Sequence, residues 1–155
     1  MRVATACTVL LLALAGCASA PSDSSFPSNS SSTGKTAADT AVKLIGTPYF
    51  YGGADPVNGF DCSGLVAWSF RQAGVSLPHN TEAQRRASRP VALGELQPGD
   101  LLFFDLQSKK NSHVGIYAGG GHFVHAPSTG KDVRQDRLDA PYWKTRLSEA
   151  RRPSI

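Results

Sequence analysis

An α+β domain with an antiparallel sheet is the fold class that the sequence predicts, on two observations. Apolar residues recur at helical spacing between Thr36 and Ala73, and beyond the turn "QPGD" at 97–100 the apolar runs contract to strand length. Helices first and strands afterwards is the order of an α+β domain. The 155 residues suffice for one compact domain and are short for two, and an apolar content of 41% is compatible with a folded core.

The opening segment, "MRVATACTVLLLALAGC", carries one basic residue, Arg2, and then an apolar and small-residue stretch too short to span a bilayer. It reads as a secretory signal, cut either before Cys17, which gives a leader of residues 1–16, or after the alanines of "CASA". Loss of Arg2 with that leader lowers the formal net charge from +4 to +3. A modest positive charge suits an anionic surface such as cell wall or lipid headgroups, and its dispersal along the chain excludes a nucleic-acid footprint. From Ala18 to Lys35 serine dominates, with proline, asparagine and glycine. Such a stretch cannot bury enough apolar surface to fold and reads as a tether.

The globular part is expected over 36–155. Thr36 with Asp39 makes a capping-box-like start, and Ala38, Ala41, Val42 and Ile45 follow at helical spacing up to Gly46 and Pro48. "TPYFYGGADPVNGFD" is rich in Gly and Pro and reads as loop. A second helix runs from about Cys62 to Ala73, closed by Gly74, and "NTEAQRRAS" makes a short third helix capped by Asn80 or Thr81. "LLFFDL" then reads as a buried strand, "QSKKNS" as a polar loop, and "HVGIYAGGGHFVHA" as two short strands around three glycines. "DVRQDRL" alternates weakly, as a further strand would.

Two features carry chemistry. Cys62 stands where a glycine-rich loop turns into a helix, flanked by Asp61 and Ser63 rather than by apolar neighbours. Free N–H groups and the positive end of the helix dipole at such a position favour thiolate over thiol. Once the leader with Cys7 is gone, Cys17 and Cys62 remain, and if Cys17 is blocked by lipid Cys62 is left as an unpaired thiol in an oxidising compartment. The second feature is the pair His113 and His125. If the three glycines form a three-residue loop with a left-handed bulge, Ala118 pairs with His122 and both histidines share one face, whereas a plain two-residue turn places them on opposite faces. On one face, one imidazole would take the thiol proton and the other would orient it. His122 and His79 read as turn and loop residues.

"PYFYGG", "GFDCSGLV", "LQPGDLLFF", "HVGIYAGGGHFVHA" and "PYWKTRLSEARR" stand in an order that resembles the NlpC family of bacterial cell-wall cysteine peptidases, from about Thr36 to Arg152. The resemblance implies a minimal papain-like fold, with N-terminal helices packed on a central antiparallel β-sheet. It makes Cys62 the nucleophile, His113 the base and His125 the third polar residue. It further implies that Tyr49 helps the oxyanion site, that Asp61 and Ser63 bind the free amino end of a peptide, and that no cofactor is needed. Tyr51 has no such counterpart in every member. The sequence Leu14-Ala15-Gly16-Cys17 resembles a lipobox, which implies cleavage before Cys17, its acylation and anchoring to a membrane, the outer membrane facing the periplasm in a Gram-negative cell. The implied substrate is the peptidoglycan stem peptide, cut at the D-alanyl–diaminopimelate crosslink or the γ-D-glutamyl–diaminopimelate bond. A regulatory protein is allowed for and not identified. Alternatives weighed against this reading are a zinc site on Cys62, His113 and His125, a non-catalytic wall-binding module, and an amidase or acyltransferase on the same core.

Overall fold

The computed structural model describes residues 29–155; the expected leader, Cys17 and most of the expected tether lie outside the described residues. Helix α1, Asn29–Lys43, starts ahead of Thr36, so residues 29–35 are helical and not tether. Thr36 is correspondingly no cap: its hydroxyl donates back to the Ser32 carbonyl at 3.0 Å, and Asp39 instead pairs with Lys35 at 2.6 Å. The extra turn is held by close approach, because a side chain on Gly34 would meet the Pro98 carbonyl oxygen at 2.8 Å. Ala37, Ala38 and Ala41 form the buried stripe that faces the rest of the core.

The loop after α1 contains a minimal hairpin, β1 (Ala54–Asp55) and β2 (Gly59–Phe60). Helix α2 covers Cys62–Gln72 and the six-residue α3 covers Thr81–Arg86, capped by the Asn80 side chain on the Ala83 N–H. Strands β3 (Ser88–Val91), β4 (Leu101–Leu106), β5 (Lys109–Gly119), β6 (His122–His125) and β7 (Arg134–Arg137) follow, then the short helix α4 (Pro141–Lys144) and β8 (Leu147–Pro153). They form one six-stranded sheet in the order β3-β8-β4-β5-β6-β7, antiparallel at every pairing. The mixed helix and antiparallel-sheet class is the one that the sequence predicts.

"LLFFDL" lacks polar alternation because both faces of β4 are covered. Leu101 and Phe103 pack with Leu65, Val66 and Phe70 beneath the helices. Leu102 and Phe104 point the other way, onto Phe123 and Trp143. The stretch "QSKKNS" is shorter as a loop than expected: only Gln107 and Ser108 make the turn, both left-handed at φ 54° and 60°, and β5 begins at Lys109.

Candidate active site

Asp61 is the N-cap of α2, and its carboxylate holds four groups together. Its Oδ1 accepts from the Gly64 N–H at 2.7 Å, the Ser63 hydroxyl at 3.2 Å and His79 Nε2 at 2.8 Å, while Oδ2 accepts from the Gly52 N–H at 3.1 Å. The cap and the loop before it are thus tied at one point. Buried Gln84 pins the same turn from behind, donating to the Ser63 and Pro78 carbonyls at 2.8 Å each. His79, read from sequence as a loop residue, is therefore a member of the site.

Cys62 follows as the first helical residue and lies in a cavity of about 530 Å³ with Tyr49, Asp61, Ser63, His79 and Thr81. Tyr51, also on this rim, is exposed. The thiol meets the Val114 N–H, one residue along β5 from His113, and the Thr81 hydroxyl at 3.9 Å. Among the described residues no hydrogen bond joins Cys62 Sγ to an imidazole. The helix terminus does not lower the thiol's pKa as expected. Burial pushes it up and the Asp61 charge adds to that, outweighing the Val114 and Ser63 amides and the Thr81 hydroxyl. The Tyr49 phenol is likewise pushed up, by burial and then by the charges at Cys62 and Asp61, so it stays protonated and able to donate.

His113 and His125 do share a face, with Nε2 of His113 and Nδ1 of His125 2.8 Å apart. Of the two irregularities that would serve, an odd-length turn or a bulge, the hairpin uses the bulge. Gly119 pairs with His122 across the turn Gly120-Gly121, Tyr117 pairs with Phe123, and Ala118 is the unpaired extra residue. From Tyr117 onward the register coincides with that expected of the three-residue loop. Both rings are buried and packed against Trp143, at 5.8 Å and 4.8 Å between centroids. His122 contacts the Gly120 carbonyl in the turn, as a turn residue should.

The chain of groups continues to a residue that sequence reading did not single out. His125 Nε2 lies 3.0 Å from Asp136 Oδ2, and the same oxygen accepts from Trp143 Nε1 at 2.9 Å and from Arg134 Nε and Nη2 at 3.0 and 2.9 Å. Asp136 lies on β7 opposite Phe123. Burial raises its pKa, but the bonds from His125 and Arg134 win and hold the carboxyl below its ordinary value. His113, His125 and Asp136 spend their facing atoms on one another in a line, which is unlike ligands converging on one metal ion.

Burial drives both imidazole pKa values down, abetted at His113 by His125 and Arg134 and opposed at His125 by Asp136. The unfolded chain would take up these protons near pH 6.5 while the folded chain does not. The contribution to stability is therefore complete above that pH and is lost as pH falls below it. The midpoint of thermal unfolding should drop by several degrees between pH 7 and pH 5, and the drop should shrink in His113→Asn; an equal drop in both proteins would refute this source.

Comparison with known proteins gives a consistent set of relatives. The NlpC/P60 family profile matches residues 46–152. The chain is 44% identical to a gamma-DL-glutamyl hydrolase of Bacillus subtilis over 72% of this chain and 27% of the relative. It is 37% identical to the murein DD-endopeptidase MepH of Escherichia coli over 76% and 45% of the respective lengths. A Staphylococcus aureus crystal structure described as similar to lipoprotein, NLP/P60 family, superposes with a TM-score of 0.69 at 35% identity, covering 86% of this chain and 44% of that one. The chain spans between about a quarter and a half of the length of these relatives.

Proposed function

Because the chain belongs to the NlpC/P60 family, we propose that it is a peptidoglycan endopeptidase that hydrolyses stem-peptide bonds through Cys62, His113 and His125. The observation that carries this reading is Cys62 at the start of α2, in an open cavity, against β5, whose His113 forms a buried and oriented pair with His125 of β6. At rest the pair is a neutral thiol and a neutral base, since burial disfavours both charged forms. Attack then exchanges the Val114 amide for the His113 ring. The thiol proton passes to His113 Nδ1 as the S–C bond forms on the scissile carbonyl. The Cys62 N–H, free of intrahelical bonding at the start of α2, and the Tyr49 hydroxyl face the oxyanion. His113 then protonates the leaving amine, and water hydrolyses the thioester. Asp61, Ser63 and His79 supply a polar pocket for the amino end of the peptide.

The relatives carry names for two bond classes, so product masses decide between them. Crosslinked muropeptides digested with the protein and resolved by mass spectrometry should give monomers if the D-alanyl–diaminopimelate crosslink is cut, and shortened stems if the γ-D-glutamyl–diaminopimelate bond is cut. Intact muropeptides would refute the peptidase reading and favour the wall-binding one, and cleavage abolished by EDTA would point to a metal mechanism.

Anchoring through acylated Cys17, with the domain facing the cell wall, belongs to the same proposal and rests on the Leu14-Ala15-Gly16-Cys17 sequence. Cys17→Ser should move the protein from the membrane to the soluble fraction on ultracentrifugation. A variant that still sediments with membranes would overturn the anchor.

A further inference from the structure

We propose that Asp136 is the positioning residue that sets the proton arrangement of the His113–His125 pair, so that the base is a relay of three groups ending on β7. The inference rests on the reading of His113 as the base and extends it to a residue outside the expected set.

The argument is one of donors and acceptors. A carboxylate can only accept, so the 3.0 Å contact requires His125 to carry its proton on Nε2. A neutral His125 then has its lone pair on Nδ1. That nitrogen is 2.8 Å from His113 Nε2, which must in turn carry the proton. The remaining nitrogen of His113, Nδ1, is left with the lone pair, which is what a general base needs. Reversing the first assignment reverses all the others: a proton on His125 Nδ1 would place the His113 proton on Nδ1, where it could no longer accept from the thiol.

Asp136 is equipped to hold this assignment. The Arg134 guanidinium reaches its Oδ2 with two nitrogens and the Trp143 indole donates a further bond to the same atom. The cation keeps the carboxyl ionised, and neither Arg134 nor Trp143 can accept a proton, so the arrangement has one direction only. When His113 takes the thiol proton, its positive charge is faced through His125 by the Asp136 carboxylate, which stays ionised. The charged groups around the pair are Asp136, Arg134 and Lys131, and Asp136 is the one that favours the imidazolium.

The test is nitrogen-15 NMR of the imidazoles, with kinetics on the same samples, for wild type, Asp136→Asn and Asp136→Glu. In wild type both rings should be protonated on Nε2. Asp136→Asn, of the same size but able to donate, should mix or reverse the tautomers and lower kcat/KM by roughly tenfold to a hundredfold, part of the general-base contribution. Asp136→Glu should recover part of both. The proposal is overturned by a wild-type His125 protonated on Nδ1, by kcat/KM unchanged in Asp136→Asn, or by a kinetic loss with tautomers unchanged, which would mean a merely structural role. If wild type cleaves no peptidoglycan fragment, the tautomers still decide this point, so the two readings fail separately.

Discussion

Cys62→Ala should leave a folded protein that releases no stem-peptide products, with turnover reduced about 10⁴-fold or more. Removing the sulfur removes the atom that forms the acyl-enzyme, and none of the surrounding groups can substitute: Ser63 is buried with its hydroxyl committed to Asp61, and the Thr81 hydroxyl lies 3.9 Å from the sulfur on α3. The fold should barely respond. The cap of α2 is made by the Asp61 side chain on the Gly64 N–H, and the Gln84 bonds go to main-chain carbonyls, so neither needs the thiol. Thermal unfolding should shift by less than about 1 kcal/mol in stability, as for a small side chain whose contacts with the Val114 and Ser63 amides and the Thr81 hydroxyl go through sulfur, a weak acceptor. Kinetics and calorimetry on the same preparation check both halves. Retained turnover would dismiss the thiol mechanism, and an unfolded variant would show that Cys62 is held for packing.

Trp143→Ala should be among the most damaging single truncations to stability, at about 3–5 kcal/mol for a large buried aromatic. That is a large share of the total for a domain, which is about 5–15 kcal/mol. The indole is the centre of the second core layer: Phe104 lies 5.0 Å away, Phe123 5.3 Å, His125 4.8 Å and His113 5.8 Å, between ring centroids. It also gives its one N–H to Asp136. Trp143→Phe largely separates the two losses, since it keeps the larger part of the apolar contact and removes the hydrogen bond, which alone is worth about 1 kcal/mol. Urea unfolding of the three proteins checks the order. Equal stability of Trp143→Ala and wild type would mean that this layer does not support the imidazoles.

The parts of the site that the sequence reveals are those set by local chemistry. Asp61 ahead of an apolar helix announces a cap, and the capped helix places Cys62 at its first position. The run "LLFFDL" announces a strand covered on both faces. The spacing of twelve residues predicts that an odd-length turn or a bulge must bring His113 and His125 to one face, although not which. What stays hidden depends on pairing between distant segments. Asp136 belongs to a strand that alternates like any exposed edge, and only its pairing with β6 brings it to His125. His79 looks like loop until the Gln84 bonds draw "LPH" against α2. Helix α1 begins within a serine-rich stretch because Gly34 finds Gly99 and Pro98, which composition cannot show. The direction of the Cys62 pKa is hidden for the same reason: a helix terminus is local, whereas burial is tertiary and here is the larger effect.

The bulge at Ala118 also governs how the hairpin tolerates changes of length. It takes up one residue of slack between the two histidines. A chain that lost Ala118 could close the same turn with regular pairing, Tyr117 still facing Phe123, and both rings would keep their side of the sheet. An added residue must instead lengthen the turn, for example to four residues between a paired Ala118 and His122, since a register shift of one would carry His125 to the face beneath α2 and cut the relay to Asp136. Single-residue changes of length are therefore silent where the turn takes them up and an off switch where they pass into the strands, although either alters only a few small residues on the surface.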